Sequence, residues 1–482
     1  MQKSLPSLMI ALAFASAAAP QVQAASNEDI VKRHFASLVA SPAPKVSELQ
    51  MFLTMMPKGG DLHHHYSGAI YAEQYLEWVD KQGYCVNKTD FRIQTEAAAK
   101  SATCVSGKDL VADNNAYRAL LQKWSTVDFY NHSGMQLPPD QTFFDTFGYF
   151  NPVASTNGNE GLKTLKQRAI AENLSYIETI YEIAPITPDA DFDKLAAEPG
   201  FDNAKLEAAM AALLPKLEAS AAFGQGIQNY LNHLQAASAG VDDEQFTMRY
   251  QPFVLRFLSP SMVFSQMLAS FKLAKASPQI VGVNIVGQES LNVSMRDYSM
   301  HMQMFKFLKA KYPDVKMALH AGELALGVVP PEGLKFHIAE AVNVAGANRI
   351  GHGIDIAHES NALAIMKTMR ERRIPVEVNL TSNEFILGVK GAAHPLDLYR
   401  KYGVPFVIST DDAGVTRHNL SNEYVLFATR YKTDYAEVKK LSYDSIRYAF
   451  LADGDKKRLL KQLDSRFAKF EADIAGALAT TK

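Results

Sequence analysis

Imidazole and carboxylate side chains recur at the ends of four apolar runs in this chain. The endings are Asp61-Leu62-His63-His64-His65, His320-Ala321-Gly322-Glu323, Arg349-Ile350-Gly351-His352-Gly353 and Ser409-Thr410-Asp411-Asp412. Side chains alternate along a strand, so His63 and His65 share one face while His64 points to the other. Two imidazoles so placed can hold a divalent ion, because neutral imidazole suits zinc. Each piece alone has a plainer reading: a solvated turn for His-x-His, a helix cap or turn for Asp-Asp, a packed residue for His352. The weight lies in their occurring together. His320 adds a third imidazole, Asp411 a carboxylate, and Glu323 and Asp412 stand beside them. Three imidazoles and one carboxylate, with a position open to water, describe a catalytic zinc site with one ion per chain. Zinc lowers the pKa of its water to about 7. His352 is placed to orient or deprotonate that water, and Glu323 to give a proton to the substrate. The chemistry expected is metal-assisted hydrolysis.

These groups must be brought together by the elements that end in them. Apolar, β-branched runs occur up to His65 and at Leu174–Tyr181, Pro252–Leu258, Ile280–Gly287, Val315–His320, Arg349–His352, Ile374–Asn379 and Val404–Thr410. Helical stretches separate the later ones, among them Asn203–Leu234, Ser261–Lys275, Asp297–Lys311 and Ala362–Arg372. Eight β-α units predict an α/β fold, a (β/α)₈ TIM barrel of the metal-dependent hydrolase type. In such a barrel the active site lies at the C-terminal ends of the strands, where the polar endings fall.

The rest of the chain divides around this unit. Lys3, the apolar run Leu8–Ala19 and Val22-Gln23-Ala24 read as a signal peptide over residues 1–24, giving an exported protein, periplasmic or secreted. Its apolar run is too short for a membrane span, and no later stretch qualifies. Residues 25–55 form a helical extension, and 56–482 the barrel, with a polar insertion at about 80–115. That insertion carries both cysteines, Cys85 and Cys104. In an oxidising compartment they are expected to pair, two free thiols being the alternative. A net charge of -2 and the lack of a basic stripe give no footing for nucleic acid or an anionic membrane.

Taken in order, the motifs resemble the adenosine deaminase family of the amidohydrolase superfamily. The pieces are Met56-Pro57-Lys58, His63-x-His65, the run Val281–Glu289, His320-Ala321-Gly322-Glu323, Arg349–Gly353, Glu377, Ser382-Asn383, His394-Pro395-Leu396 and Ser409–Asp412. The extension, the insertion and the exported location are most like its extracellular growth-factor-related branch. The resemblance implies zinc on His63, His65, His320 and Asp411, Glu323 protonating the purine N1, and His352 activating the water. It also implies that Asp412 contacts N7 and the Gly287 backbone reaches the N3 edge. The reaction implied is attack at C6 of adenosine, or of 2′-deoxyadenosine, with loss of ammonia. Ser67 stands where the family commonly has an aspartate for the ribose 5′-hydroxyl, and Ala413 where proline is usual. AMP is disfavoured, since no Gly-rich phosphate cradle or paired basic residues accompany the motifs. The other zinc deaminase pattern, His-x-Glu with Pro-Cys-x-x-Cys, is absent.

Two other readings stay open. One is a different metal-dependent hydrolase on the same barrel, cleaving an amide or ester, although no lysine stands at a candidate strand end. The other is a secreted binding or signalling protein. The extension and insertion have a character suited to homodimer contacts, with packing on the chain's own barrel as the alternative.

Overall fold

The buried runs expected as strands do form strands, and they run parallel around one barrel. The computed structural model describes residues 25–40, 42–96, 101–131 and 134–480. Strand β1 (Lys58–His65) is followed by the short strands of the insertion, β2 (Cys85–Asn87), β3 (Ile93–Gln94) and β4 (Cys104–Val105). The barrel resumes with β5 (Leu174–Ile183), β6 (Thr247–Leu255), β7 (Asn284–Val286) and β8 (Ala318–Ala321). It ends with β9 (Arg349–His352), β10 (Val376–Val378) and β11 (Phe406–Ile408).

Two four-stranded sheets, β1-β5-β6-β7 and β8-β9-β10-β11, make the wall. Isolated parallel bridges close both seams, Val283 with Met317 and His64 with Asp411. At the second seam the His65 amide donates to Asp411 O at 3.0 Å and the Asp411 amide to His63 O at 2.8 Å. Two of the chemically interesting strand ends are therefore stitched directly to each other.

Three expectations are corrected. Strand β6 begins at Thr247, ahead of the apolar run starting at Pro252, and stops at Leu255 rather than Leu258. Arg249 and Gln251 hid it, because polar residues interrupt the apolar pattern; Gln251 is nonetheless fully buried in the barrel interior. The single helical stretch Asn203–Leu234 is two helices, Asn203–Ala219 and Ala221–Ala237. Ser220 separates them in extended conformation and caps the second by accepting from the Phe223 amide. The insertion, expected only as a polar segment carrying both cysteines, contains an antiparallel sheet of order β3-β2-β4. The Cys85–Cys104 disulfide joins its central strand β2 to β4, with Cα atoms 5.5 Å apart.

The extension packs on its own chain. Helices Asn27–Leu38 and Val46–Met55 bury Phe35 and Phe52. The Phe52 ring lies 5.1 Å from Phe470 and 6.1 Å from Tyr435, on helices near the C-terminus. Among the described residues no helix is long and apolar enough to cross a membrane. The expected signal peptide, residues 1–24, lies outside the described residues.

Candidate active site

At the C-terminal mouth of the barrel the four polar endings meet. His63 and His65, two apart on β1, both turn inward. Their Nε2 atoms lie 3.3 and 3.2 Å from Asp411 Oδ1. His65 Nε2 is also 3.2 Å from His320 Nε2 at the end of β8. His64 turns away, its Nδ1 3.0 Å from Thr179 Oγ1. His352 and Asp411 both have φ near +65°, a conformation that costs a non-glycine residue energy and tends to persist at functional sites.

Distance alone leaves the metal-ligand set ambiguous. His63, His320, His352 and Asp411 offer donor atoms within 4.8 Å of one another, and so do His65, Asp411 and Asp412. The hydrogen bonds on the far side of each ring separate the histidines. His63 Nδ1 donates to Glu377 at 2.7 Å, and His320 Nδ1 donates to Asn284 Oδ1 at 2.8 Å. These two partners are ends of one buried chain through the barrel. Asn284 donates to Gln251 at 3.2 Å, Gln251 donates to Glu178 at 3.1 Å, and Arg349 bridges Glu178 and Glu377. Every polarity agrees: both rings carry hydrogen on Nδ1 and leave the Nε2 lone pair for a cation, the arrangement metal-binding histidines need. His63 Nε2 is buried without a hydrogen bond, which fits a ligand atom. His352 is wired the opposite way: Asn383 Nδ2 approaches its Nδ1 at 2.9 Å.

The electrostatics agree with a site for positive charge. Burial opposes ionisation of His63, yet Asp411 and Glu377 outweigh it and raise the ring to about 10. Burial and the neighbouring imidazoles hold His320 well below its usual range. Asp411 stays ionised despite burial because His352, His63 and His65 surround it. A divalent ion would take the place of the proton that His63 is driven to hold.

Glu323 is positioned by its backbone. The amides of Gly322 and Glu323 donate to the Glu289 carboxylate at 3.1 and 2.9 Å. His337 Nδ1 at 2.5 Å and Arg256 Nη1 at 3.5 Å hold Glu289 in turn. Arg256 and His337 overcome burial and keep Glu289 ionised, at about 2. Burial, then the charges of Asp411 and Glu289, push Glu323 well above the carboxylate range. Its carboxyl, 3.7 Å from His352 Nε2, is therefore biased toward the protonated form. Asp412 is also pushed up, by burial and then by Asp411, and its Oδ1 has no hydrogen-bond partner. Gly68 is required beside it, since a Cβ there would sit 1.6 Å from Asp412 Oδ1.

A cavity of about 480 Å³ opens from these groups. Ser67, Gly287 and Asp412 line it, as expected from the sequence, together with His65, His320, Glu323, His352 and Asp411. Gly287, at φ 96°, shows backbone to the cavity, and a Cβ there would meet Phe257 at 2.7 Å. Part of the lining is aromatic: Phe143, Phe144 and Phe147 come from the helix Pro139–Ala154. No lysine or arginine is among the lining residues described.

Sequence reasoning quoted Asn284, Glu289, Glu377, Asn383 and His394 within motifs but gave them no role, and it missed Gln251, Glu178 and Arg256. The signal available was polar residues inside apolar strands, which only a polar barrel interior explains.

Comparisons place these features. A family model described as adenosine deaminase matches residues 191–466. The chain is 33% identical over 201 residues to adenosine deaminase of Haemophilus ducreyi, covering 42% of this chain and 53% of that protein. It is 34% identical over 157 residues to human N6-methyl-AMP deaminase, 32% of this chain and 42% of that one. The chain thus spans about half the length of the curated relatives it matches. In fold it is similar to adenine deaminase from Arthrobacter aurescens (TM-score 0.56, 17% identity, 85% of this chain and 98% of that one). It is also similar to a zinc-bound amidohydrolase from Burkholderia ambifaria (TM-score 0.51, 17% identity, 89% and 94%). Since the family match takes in more than half of the 482 residues and the barrel has the same architecture, the chain belongs to the adenosine deaminase family.

Proposed function

We propose that this protein is a divalent-metal-dependent hydrolytic deaminase of a 6-aminopurine nucleoside, with adenosine as first substrate, 2′-deoxyadenosine as second, and zinc as the metal. The observation that carries the reading is the wiring of the histidines. His63 and His320 are held with hydrogen on Nδ1 and with Nε2 facing Asp411 and His65, while Glu323, biased toward its protonated form, lines the same cavity. His63, His65, His320 and Asp411 would hold the ion, which when bound supplies an activated water. Glu323, kept neutral by its surroundings, delivers its proton to the ring nitrogen N1 as C6 is attacked. Asp412, its carboxyl also pushed toward the protonated form, donates its O–H to N7, and the bare backbone at Gly287 leaves room for the N3 edge. The aromatic wall excludes bulk water and stacks or packs against the base. The relative that acts on N6-methyl-AMP raises a nucleotide as alternative. A cavity lined without lysine or arginine favours a neutral nucleoside, because an unpaired phosphate is costly to desolvate. Export remains our reading of residues 1–24, checked by whether the mature N-terminus begins at Ala25.

The test is conversion of adenosine to inosine, followed by ultraviolet absorbance, with AMP, adenine and 2′-deoxyadenosine alongside. Glu323→Gln should lower kcat by about 10²–10⁴-fold while retaining its metal, and a chelator should abolish wild-type turnover. A filled metal site with adenosine untouched would overturn the nucleoside assignment and leave the metal site standing.

A further inference from the structure

Resting on the deaminase reading above, we propose that Asn383 and His394 are positioning residues that fix the hydrogen of His352 on Nε2. His352 then meets the reacting water as a hydrogen-bond donor and not as the base that removes its proton. This chooses between the two roles, orienting or deprotonating, that the sequence left open.

The argument starts from a group whose polarity is beyond choice, a backbone amide. The Leu396 N–H donates to His394 Nδ1 at 3.1 Å. That nitrogen is therefore an acceptor, and a neutral His394 carries its hydrogen on Nε2. His394 is almost fully buried, at 3% exposure, and burial followed by the charge of Arg430 keeps it neutral. Its Nε2–H faces Asn383 Oδ1 at 3.3 Å. The Asn383 amide is thereby oriented with its NH₂ toward His352, and Nδ2 lies 2.9 Å from His352 Nδ1. Asn379 Nδ2 approaches the same nitrogen at 3.4 Å. Two amide donors converge on Nδ1, so it accepts, and the hydrogen of the neutral ring sits on Nε2.

That Nε2–H is aimed into the site. It lies 3.7 Å from Glu323 Oε1 and 3.8 Å from Asp411 Oδ2. The contrast with His63 and His320 is internal to the same cluster: each of those gives Nδ1–H to an acceptor, whereas His352 receives at Nδ1. Opposite wiring assigns opposite tasks. The first pair present lone pairs, whereas His352 presents a proton. A donor fixed before substrate arrives is worth more than one that must reorient, because no reorganisation is needed during the reaction.

The test reads hydrogen placement directly, by long-range ¹H–¹⁵N correlation on protein labelled with ¹⁵N-histidine, metal-depleted and zinc-loaded. The His352 signals are assigned by their loss in His352→Asn. Wild type should show His352 neutral with hydrogen on Nε2. In Asn383→Asp, of nearly the same shape, a carboxylate faces Nδ1, so the spectrum should show Nδ1 protonated. That variant should lose about 10²-fold in kcat with KM within about 2-fold, a split that loosened packing does not produce. Hydrogen on Nδ1 in wild type would overturn the proposal, as would an Asn383→Asp protein with unchanged tautomer and kcat. If Asn383→Asp does not fold, the wild-type spectrum decides alone. Wild-type protein inactive on every aminopurine would sink the deaminase reading and leave the hydrogen placement intact.

Discussion

Asp411 Oδ1 accepts approach from His63 and His65 at once, while its other oxygen faces His352. The residue scale is therefore governed by what stands behind each ring. Residue types alone nominated His63, His65, His320, Asp411, Glu323 and His352, since few other side chains bind metal or move protons near neutral pH. Their supporting partners were not nominated: asparagine and glutamine inside a strand look the same whether they pack, cap or wire a histidine. Asn284 offers a clean test, because removing it strands no charge. Asn284→Ala should weaken zinc binding about 10–100-fold, measured by competition with a chromophoric chelator, with the fold intact by circular dichroism. Unchanged affinity would mean that His320 does not need its Nδ1–H fixed, and the ligand assignment would lose its main support.

At the scale of elements, the strands place the chemistry and the helix Pro139–Ala154 walls the cavity beside it. Strand ends were readable because each combines a buried run with a polar terminus. Strand β6 was read too short, since Arg249 and Gln251 break the apolar pattern that identifies a strand. The helix Pro139–Ala154 was readable as a helix, but its position over the mouth was not. It is held there by contacts remote in sequence, such as Phe150 stacked on Tyr75 with centroids 4.5 Å apart. Phe147 is half-buried on this helix and lines the cavity. Phe147→Ala should raise KM for adenosine about 10-fold, the loss expected for about 1.4 kcal/mol of apolar contact, with kcat falling less. A fall in kcat at unchanged KM would show that the helix acts on chemistry and not on binding.

At the scale of the whole molecule, several histidines are buried far from any ligand role, and they tie stability to pH. His301, in the helix Asn292–Lys311, has neither ring nitrogen hydrogen-bonded. Burial lowers it from 6.5 to about 4. The unfolded chain therefore binds this proton first. Its contribution to stability is present above pH 6.5 and is lost as pH falls toward 4. At pH 5 the loss is about 2 kcal/mol. His301→Leu, of similar volume, should gain about that much relative to wild type between pH 7.5 and pH 5 in urea unfolding. An equal gap at both pH values would show that His301 is not the neutral, buried group described here.

The alternation of apolar runs and helical stretches, with polar residues at run ends, was enough to specify a barrel and the end of it that does chemistry. That follows because burial pattern and periodicity are local properties of the chain. The pairing of Cys85 with Cys104 was also within reach, being a short-range contact. Which histidine binds and which donates was not within reach, because it depends on hydrogens set by residues such as Glu377 and Asn383, brought to opposite sides of the cluster by closure of the barrel. Local sequence carries propensity. The polarity of a buried hydrogen-bond chain exists only once distant strands have met.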